Sequence, residues 1–386
     1  MPPLGEFRTP VLIAGGGIGG LAAALALQQR GISAVVCERA PELREIGAGL
    51  LLSPNAVHVL RLLGVLNEAM AHSRMIDEWR ILDTHGRFLH RLHPSRGKRL
   101  PALSLHRAAL QKLLLARLHP TCLRLGFEVA AFSETATSVQ VTSLSGTRIE
   151  GSALIGADGL RSCVRRAGQN DDPLRDCGYS GWRSVVPFIP SGYEGGWLSE
   201  SWGEGKRFGV SPLGDGRCYW YATANHRRGI PPSARSCKDE LLAAFGHWHS
   251  PIPELIAATA DDSILLNPIL DRPVQMNATR ASLVTLLGDA AHPMTPNLGQ
   301  GACLALEDAW ILAREISITP TLAQGLRRYE TTRRTRAAWI SRASHALGCI
   351  IQLEHPVATA LRDAGLRLTP EFVSDLTMRP LFSFQG

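Results

Sequence analysis

Three glycines in GxGxxG spacing, Gly15, Gly17 and Gly20, lie between a short apolar run, Pro10 to Ala14, and the alanine- and leucine-rich segment GGLAAALALQQR from Gly19 to Arg30. The run predicts a strand, and the segment predicts a helix that stops at Gly31. In that setting the first glycine permits a tight turn, the second lets a pyrophosphate approach the backbone, and the third lets helix and strand pack closely. The free N–H groups and partial positive charge at the helix start would meet the phosphates. A second strand, Ile32 to Cys37, delivers Glu38 at about the spacing where a dinucleotide fold places an acid on the ribose hydroxyls. A glycine-rich turn in an ordinary α/β unit shares the glycines, but not the full order of strand, helix, strand and acid.

With 386 residues the chain has room for two domains with substantial cores. Its 45% apolar and 19% charged residues are typical of a globular protein, and no segment is long and apolar enough to span a bilayer. Val11 to Leu27 has a signal-peptide-like apolar core, yet it holds the fingerprint glycines, lacks a basic start and runs into Gln28, Gln29 and Arg30, so it reads as folded protein. The eight cysteines contain no CxxC pair, which argues against a zinc ribbon or thioredoxin-like site and for reduced thiols in a cytoplasmic protein. Much of the net charge of +7 is concentrated in Arg327 to Arg336 (RRYETTRRTR), a run that reads as a solvated helix face without a nucleic-acid module. The positive potential suits an anionic cosubstrate or acidic substrate.

Two further stretches carry site chemistry. Gly156 to Ser162 (GADGLRS) ends an apolar strand and offers Ser162 as a helix start; Gly288 to Gly301 (GDAAHPMTPNLGQG) follows the strand Ser282 to Leu287 and leads into a helix from about Gly299 to Ile316. With the fingerprint, in this order and spacing, they resemble the group A flavoprotein monooxygenases, the class related to p-hydroxybenzoate hydroxylase. The resemblance covers most of the chain. It implies an α/β fold: a Rossmann-like FAD-binding domain with an inserted β-sheet substrate domain and C-terminal helices. The expected division assigns residues 1–72, 101–166 and 271–386 to the FAD domain, and 73–100 and 167–270 to the substrate domain.

The resemblance also implies the cofactor contacts. Gly15, Gly17, Ile18, Gly19, Gly20, Glu38 and Arg39 fall in the fingerprint unit, and Gly49 in GAGLLLSPN (Gly47 to Asn55), which resembles the loop beside the flavin ring. Arg107, in HRAALQKLLL, stands where the family places an arginine on the flavin phosphates or ribityl chain; as a sequence it reads equally as a surface helix residue. Asp158 and Gly159 match the family's DG motif, or a strand turn with an N-cap. Gly288 and Asp289 match the segment whose aspartate holds the ribityl chain or phosphates. Pro296, Gly299, Gln300, Gly301 and Ala302 match the loop and helix start aimed at the flavin pyrimidine edge, where N–H groups stabilise reduced flavin. His292 is assigned no chemistry.

For the substrate, the pattern is similar to the branch of urate hydroxylase and the salicylate and 3-hydroxybenzoate hydroxylases. GEGKRFGVSPLGDGRCYWY offers Arg207 and Tyr219, followed by Trp220 and Tyr221; Leu50, Leu52 and Ser184 are further substrate-site candidates, and Arg207, Tyr219 and Pro296 the catalytic ones. An arginine holds an anionic oxygen through two hydrogen bonds and a phenol orients a ring, while an aromatic strand with a surface arginine gives the same letters. Ser184 stands where the urate enzyme has an amide, which puts urate in doubt. The implied activity is a hydroxylase with noncovalent FAD, transient NAD(P)H and O2, acting through a flavin C4a-hydroperoxide on a small electron-rich aromatic or heteroaromatic molecule. It would work as a monomer or homodimer with no nucleic-acid partner and no metal. A flavin reductase, an oxygenase or epoxidase of larger natural products or antibiotics, and a non-catalytic flavin module remain as alternatives.

Overall fold

The computed structural model describes residues 9–43, 48–97, 100–168, 173–226, 236–274 and 282–384. Gly47 therefore lies outside the described residues. The strand Val11–Ala14 is buried along its whole length, as expected of a central parallel strand covered on both faces. It pairs in parallel with Ala34–Cys37 on one side and Ala153–Gly156 on the other. Leu123–Arg124 and Val284–Leu286 complete a five-stranded parallel sheet. The fingerprint helix, Ile18–Gln28, is buried almost throughout because its small side chains let it sit between this sheet and the helix Gly301–Ile318.

A seven-stranded sheet forms the second layer, in the order Leu265–Asp271, Arg175–Val186, Cys218–Asn225, Lys206–Pro212, Trp197–Trp202, Glu78–Asp83 and Phe88–Leu92. Its pairs are antiparallel except the one joining Trp197–Trp202 to Glu78–Asp83. Helices Cys237–Phe245 and Ile252–Ala258 cover its back, where Phe208, Trp220, Phe245 and Trp248 form a core. A small sheet of Gly49–Leu52, Ala102–His106 and Ser73–Ile76 lies between the two layers.

The helix Leu322–Ile351 follows Gly301–Ile318 and carries the basic run. Here the structure corrects the solvated-face reading in part, at Arg333 and Arg336, while Arg327 and Arg328 are exposed. Arg333 is 2% exposed; its Nε donates to Asp308 at 2.6 Å and its Nη2 pairs with Glu307 at 2.8 Å. Arg336 donates twice to Glu307, each at 2.7 Å. The cause is the neighbouring helix, which presents two consecutive carboxylates inward, and residues three apart share a helix face. Arg334 stays exposed.

Removing a buried partner leaves uncompensated charge, so Arg333→Ala should cost about 3 to 5 kcal/mol, whereas Arg334→Ala should stay within about 0.5 kcal/mol. Denaturant or thermal unfolding of both variants checks this; equal, small losses would restore the solvated-face reading.

Candidate functional site

The sharp turn after Val11–Ala14 begins at Gly15, whose φ of +105° is open chiefly to glycine. A Cβ on Gly20 would lie 2.0 Å from the Gly15 carbonyl oxygen, so helix and turn are in backbone contact there. A Cβ on Gly17 would meet nothing within 4 Å. Gly17 caps the fingerprint helix without a side-chain hydrogen bond. The helix start thus opens onto a cleft of about 670 Å³ that gathers Gly15, Gly17, Glu38, Arg39, Arg107, Asp158 and Gly159. Ile18, Gly19 and Gly20 stand behind it, with Gly19 against Leu287.

The cleft is lined for an anionic dinucleotide. Glu38 Oε2 accepts from Gly16 N–H at 2.6 Å and Oε1 from Ala40 N–H at 2.9 Å, which fixes the acid at the end of its strand. Gln111, one turn after Arg107, donates to the Gly16 carbonyl at 2.7 Å. Arg107 is half-buried in the cleft wall, and burial holds its pKa below the usual arginine range, with Arg183 adding to the effect against Asp289 and Glu38. Among the described residues no hydrogen-bond partner is seen for its guanidinium, which leaves those donors for a phosphate. Ser162 caps the helix Cys163–Gly168, its Oγ accepting from Arg165 N–H at 3.0 Å, and Asp158 Oδ2 accepts from Cys163 N–H at 2.8 Å. Asp158 Oδ1 is buried without a partner on the same cleft. Open helix N–H groups, an uncommitted guanidinium and an orphaned carboxylate oxygen fit the phosphates and hydroxyls of FAD.

The third motif is held from behind. Gly288 N–H donates to Asp308 at 3.1 Å, and His292 Nε2 lies 2.5 Å from the same carboxylate oxygen. Burial works to lower the His292 pKa, but Asp308 outweighs it and raises it. Burial likewise opposes ionisation of Asp308, yet His292 and Arg333 hold its carboxyl at about 2. His292 therefore anchors the turn. Asp289, next to the anchored Gly288, keeps exposed surface while hemmed in by protein; burial raises its pKa against the pull of His292 and Arg107. Gly301 starts its helix with Gln300 as cap, and Gln300 is held by Ser53 at 3.1 Å and Asn55 at 3.0 Å. Pro296 is exposed, and its neighbour Asn297 ties the loop to the Tyr179 hydroxyl at 3.0 Å and the Ser344 carbonyl at 3.0 Å. Gly299 ends this short turn, and Ala302 follows Gly301 into the helix.

Strand alternation sorts the substrate candidates. Arg207, Tyr219 and Tyr221 share one face of the seven-stranded sheet with Arg183 and Glu200. Tyr219 lies so close to Gly49 that a Cβ there would meet its ring at 2.4 Å, which brings the small sheet's first strand against this face. Trp220 and Ser184 point the other way: Trp220 is fully buried and donates to Thr259 at 3.0 Å, while the Ser184 hydroxyl donates to the Ser263 carbonyl at 3.1 Å. Neither faces the cofactor side. Leu50 and Leu52 also turn away, packing into the first core opposite Leu105 and Leu103, and it is Leu51 that meets the substrate-sheet side. Each correction is a matter of strand parity.

Arg207 is 1% exposed and already paired, with Nη1 at 3.3 Å from Glu200 Oε1. The Tyr221 hydroxyl also donates to Glu200, as does Trp202 Nε1 at 2.9 Å. Arg207 Nε is buried without a partner. Burial pushes the Tyr219 phenol to about 12 against Arg183 and Arg207, and burial with Glu200 pushes Tyr221 well above the usual range. Both are proton donors at neutral pH. Sequence reasoning missed Gln111, whose signal was its helical spacing from Arg107, and Glu200 and Arg183, which only cross-strand pairing reveals.

Asp289→Ala should weaken FAD binding by about one to two orders of magnitude, the roughly 1.5 to 3 kcal/mol of a charge-assisted hydrogen bond, without broadening the unfolding transition. A fluorescence titration measures it, and unchanged affinity would give Asp289 a purely structural role.

An FAD binding domain model matches residues 8–344. The chain is 40% identical to an aurachin C monooxygenase/isomerase of Stigmatella aurantiaca, over 93% of this chain and 94% of that one. It is 33% identical to a 2-heptyl-3-hydroxy-4(1H)-quinolone synthase of Pseudomonas aeruginosa, again over 93% and 94%. Among solved structures, Klebsiella pneumoniae HpxO complexed with FAD and uric acid superposes with a TM-score of 0.90 at 27% identity, over 99% of this chain and 98% of that one. The fingerprint cleft, the anchored GD turn and these matches agree: the chain belongs to the group A FAD-dependent monooxygenases and is an enzyme of that type.

Proposed function

We propose that this enzyme uses NAD(P)H and O2 to hydroxylate a neutral, electron-rich heteroaromatic ring of the 4-quinolone class bearing an apolar side chain. FAD, when bound, supplies the redox chemistry and the activation of oxygen. The chain's residues bind, orient and keep water out. The observation that carries the substrate class is the Glu200–Arg207 pair. A substrate carboxylate would have to share one buried guanidinium with Glu200, and two carboxylates on one buried cation leave negative charge uncompensated. A neutral ring carbonyl needs only a donor, and the protonated Tyr219 phenol and the partnerless Arg207 Nε–H are donors on that face. A vinylogous amide ring is electron-rich without ionisation, so no general base is required of the site. The name of the relative at 33% identity, a 2-heptyl-3-hydroxy-4(1H)-quinolone synthase, supports the same class.

In this reading Gly15, Gly17, Glu38, Arg39, Arg107, Asp158 and Asp289 hold FAD, the start of the helix Gly301–Ile318 faces the flavin ring, and Arg207, Tyr219 and Tyr221 with Glu200 and Leu51 bound the substrate. The division of the chain at 1–72, 101–166 and 271–386 against 73–100 and 167–270 belongs to the same proposal, as do a cytoplasmic location and a monomeric or homodimeric state.

The test is substrate-stimulated NAD(P)H oxidation with hydrogen peroxide measured in parallel. The ring of the Pseudomonas product without its 3-hydroxyl, 2-heptyl-4(1H)-quinolone, should accelerate oxidation and acquire one atom from isotope-labelled O2 with little peroxide. Urate and 3-hydroxybenzoate should give slow or uncoupled turnover, because proximity and orientation govern oxygen transfer. Coupled turnover of either of these, with none on the quinolone, would refute the substrate class.

A further inference from the structure

The two C-terminal helices, Pro356–Leu368 and Glu371–Met378, are inverted in their amphipathicity. On the first, Arg362 is buried, donating to the carbonyls of Gly203 at 3.2 Å and Ile351 at 3.1 Å. Leu361 and Leu368 instead face outward, 69% and 81% exposed, with Val357, Ala360 and Ala364 between and around them. On the second, Phe372 and Leu376, one turn apart, are 68% and 63% exposed. Single exposed leucines need no explanation, but exposed apolar side chains repeated on two consecutive helices mark a surface that something covers.

Charge and shape say what fits it. Beside the second helix runs a groove of about 310 Å³ lined by Leu92, Phe372, Leu376 and Phe382 together with Arg96, Arg379 and Asp375. Several of the surrounding cations are the more exposed partners of their ion pairs: Arg87 is 70% exposed against 7% for Asp83, and Arg96 48% against 16% for Asp375, while Arg91 and Glu371 are equally exposed at 38%. Arg367 and Arg379 are exposed as well. Exposed apolar side chains and a groove beside exposed guanidinium groups suit acyl chains below anionic head groups. No helix among the described residues is long and apolar enough to cross a membrane. Ile351 and Leu366, at the base of these helices, pack on Ile81 and Trp202, which share the sheet face of Glu200.

We propose that the outer faces of Pro356–Leu368 and Glu371–Met378 dock the enzyme on an anionic lipid surface, the phase in which a ring with an apolar side chain accumulates. The docking stands on the surface alone; its link to substrate supply rests on the quinolone reading above.

The FAD-loaded enzyme is mixed with phosphatidylcholine vesicles, with and without phosphatidylglycerol, and the bound fraction is read by flotation. Binding should favour the anionic vesicles severalfold and weaken with salt. Leu361→Gln/Leu368→Gln should reduce it by about tenfold per leucine, with FAD content and thermal midpoint unchanged, because both side chains face solvent. Arg367→Gln/Arg379→Gln should remove the preference for anionic lipid. Failure of the wild type to bind either vesicle would overturn the proposal. So would sedimentation velocity showing a dimer that the leucine variants convert to monomer, since a second copy would then cover the face. Vesicle binding is read without turnover, so it stands or falls separately from the substrate screen.

Discussion

The Asp308 carboxylate is the point on which the cofactor side of the molecule depends. It accepts from the Gly288 N–H, from Arg333 and from His292, within a core closed to water. These partners come from the turn after the last parallel strand and from the long helix that closes the core. Glu307, the preceding residue, repeats the arrangement: it takes Arg333 and Arg336, and receives Asn55 Nδ2 at 2.8 Å, which in turn holds Gln300. Two adjacent acids thus tie both ends of the loop from Gly288 to Gly301. Burying such charges is expensive unless every one is paired, so alternative placements of this loop are penalised steeply.

The substrate side rests on a smaller buried pair with a different consequence. Glu200 pairs with Arg207 Nη1, and Tyr221 and Trp202 complete the carboxylate's shell. An arginine that reads as an anion clamp in the sequence is largely spent within the protein. In the proposed reading, the protonated Tyr219 phenol and the partnerless Arg207 Nε–H are what is left to orient a ring carbonyl.

The contrast between what was and was not legible in the sequence follows from the range of the interactions. The fingerprint unit, the strand before Gly288 and the helix after Gly301 are set by local turn chemistry and apolar runs, and they fall close to their expected positions. Trp220, Ser184, Leu50 and Leu52 were misplaced because strand alternation assigns faces only once register with distant strands is known. Arg333 was misread because its acids lie 25 and 26 residues earlier on another helix, as their hydrogen bond and ion pair record. Glu200 is absent from any motif, and its role arises from pairing with the strand that carries Arg207.

The most direct test of Asp308 as the organiser of the flavin site is the FAD affinity of Asp308→Asn, which preserves shape and removes charge. Asp308 has no surface on the cleft, so any effect on FAD acts through the position of Gly288, Asp289 and the following helix. Titrated well below its unfolding transition, the variant should remain folded and bind FAD at least about tenfold more weakly than the wild type. A variant that loses thermal stability yet binds FAD with unchanged affinity would show that the turn holds its place without the carboxylate.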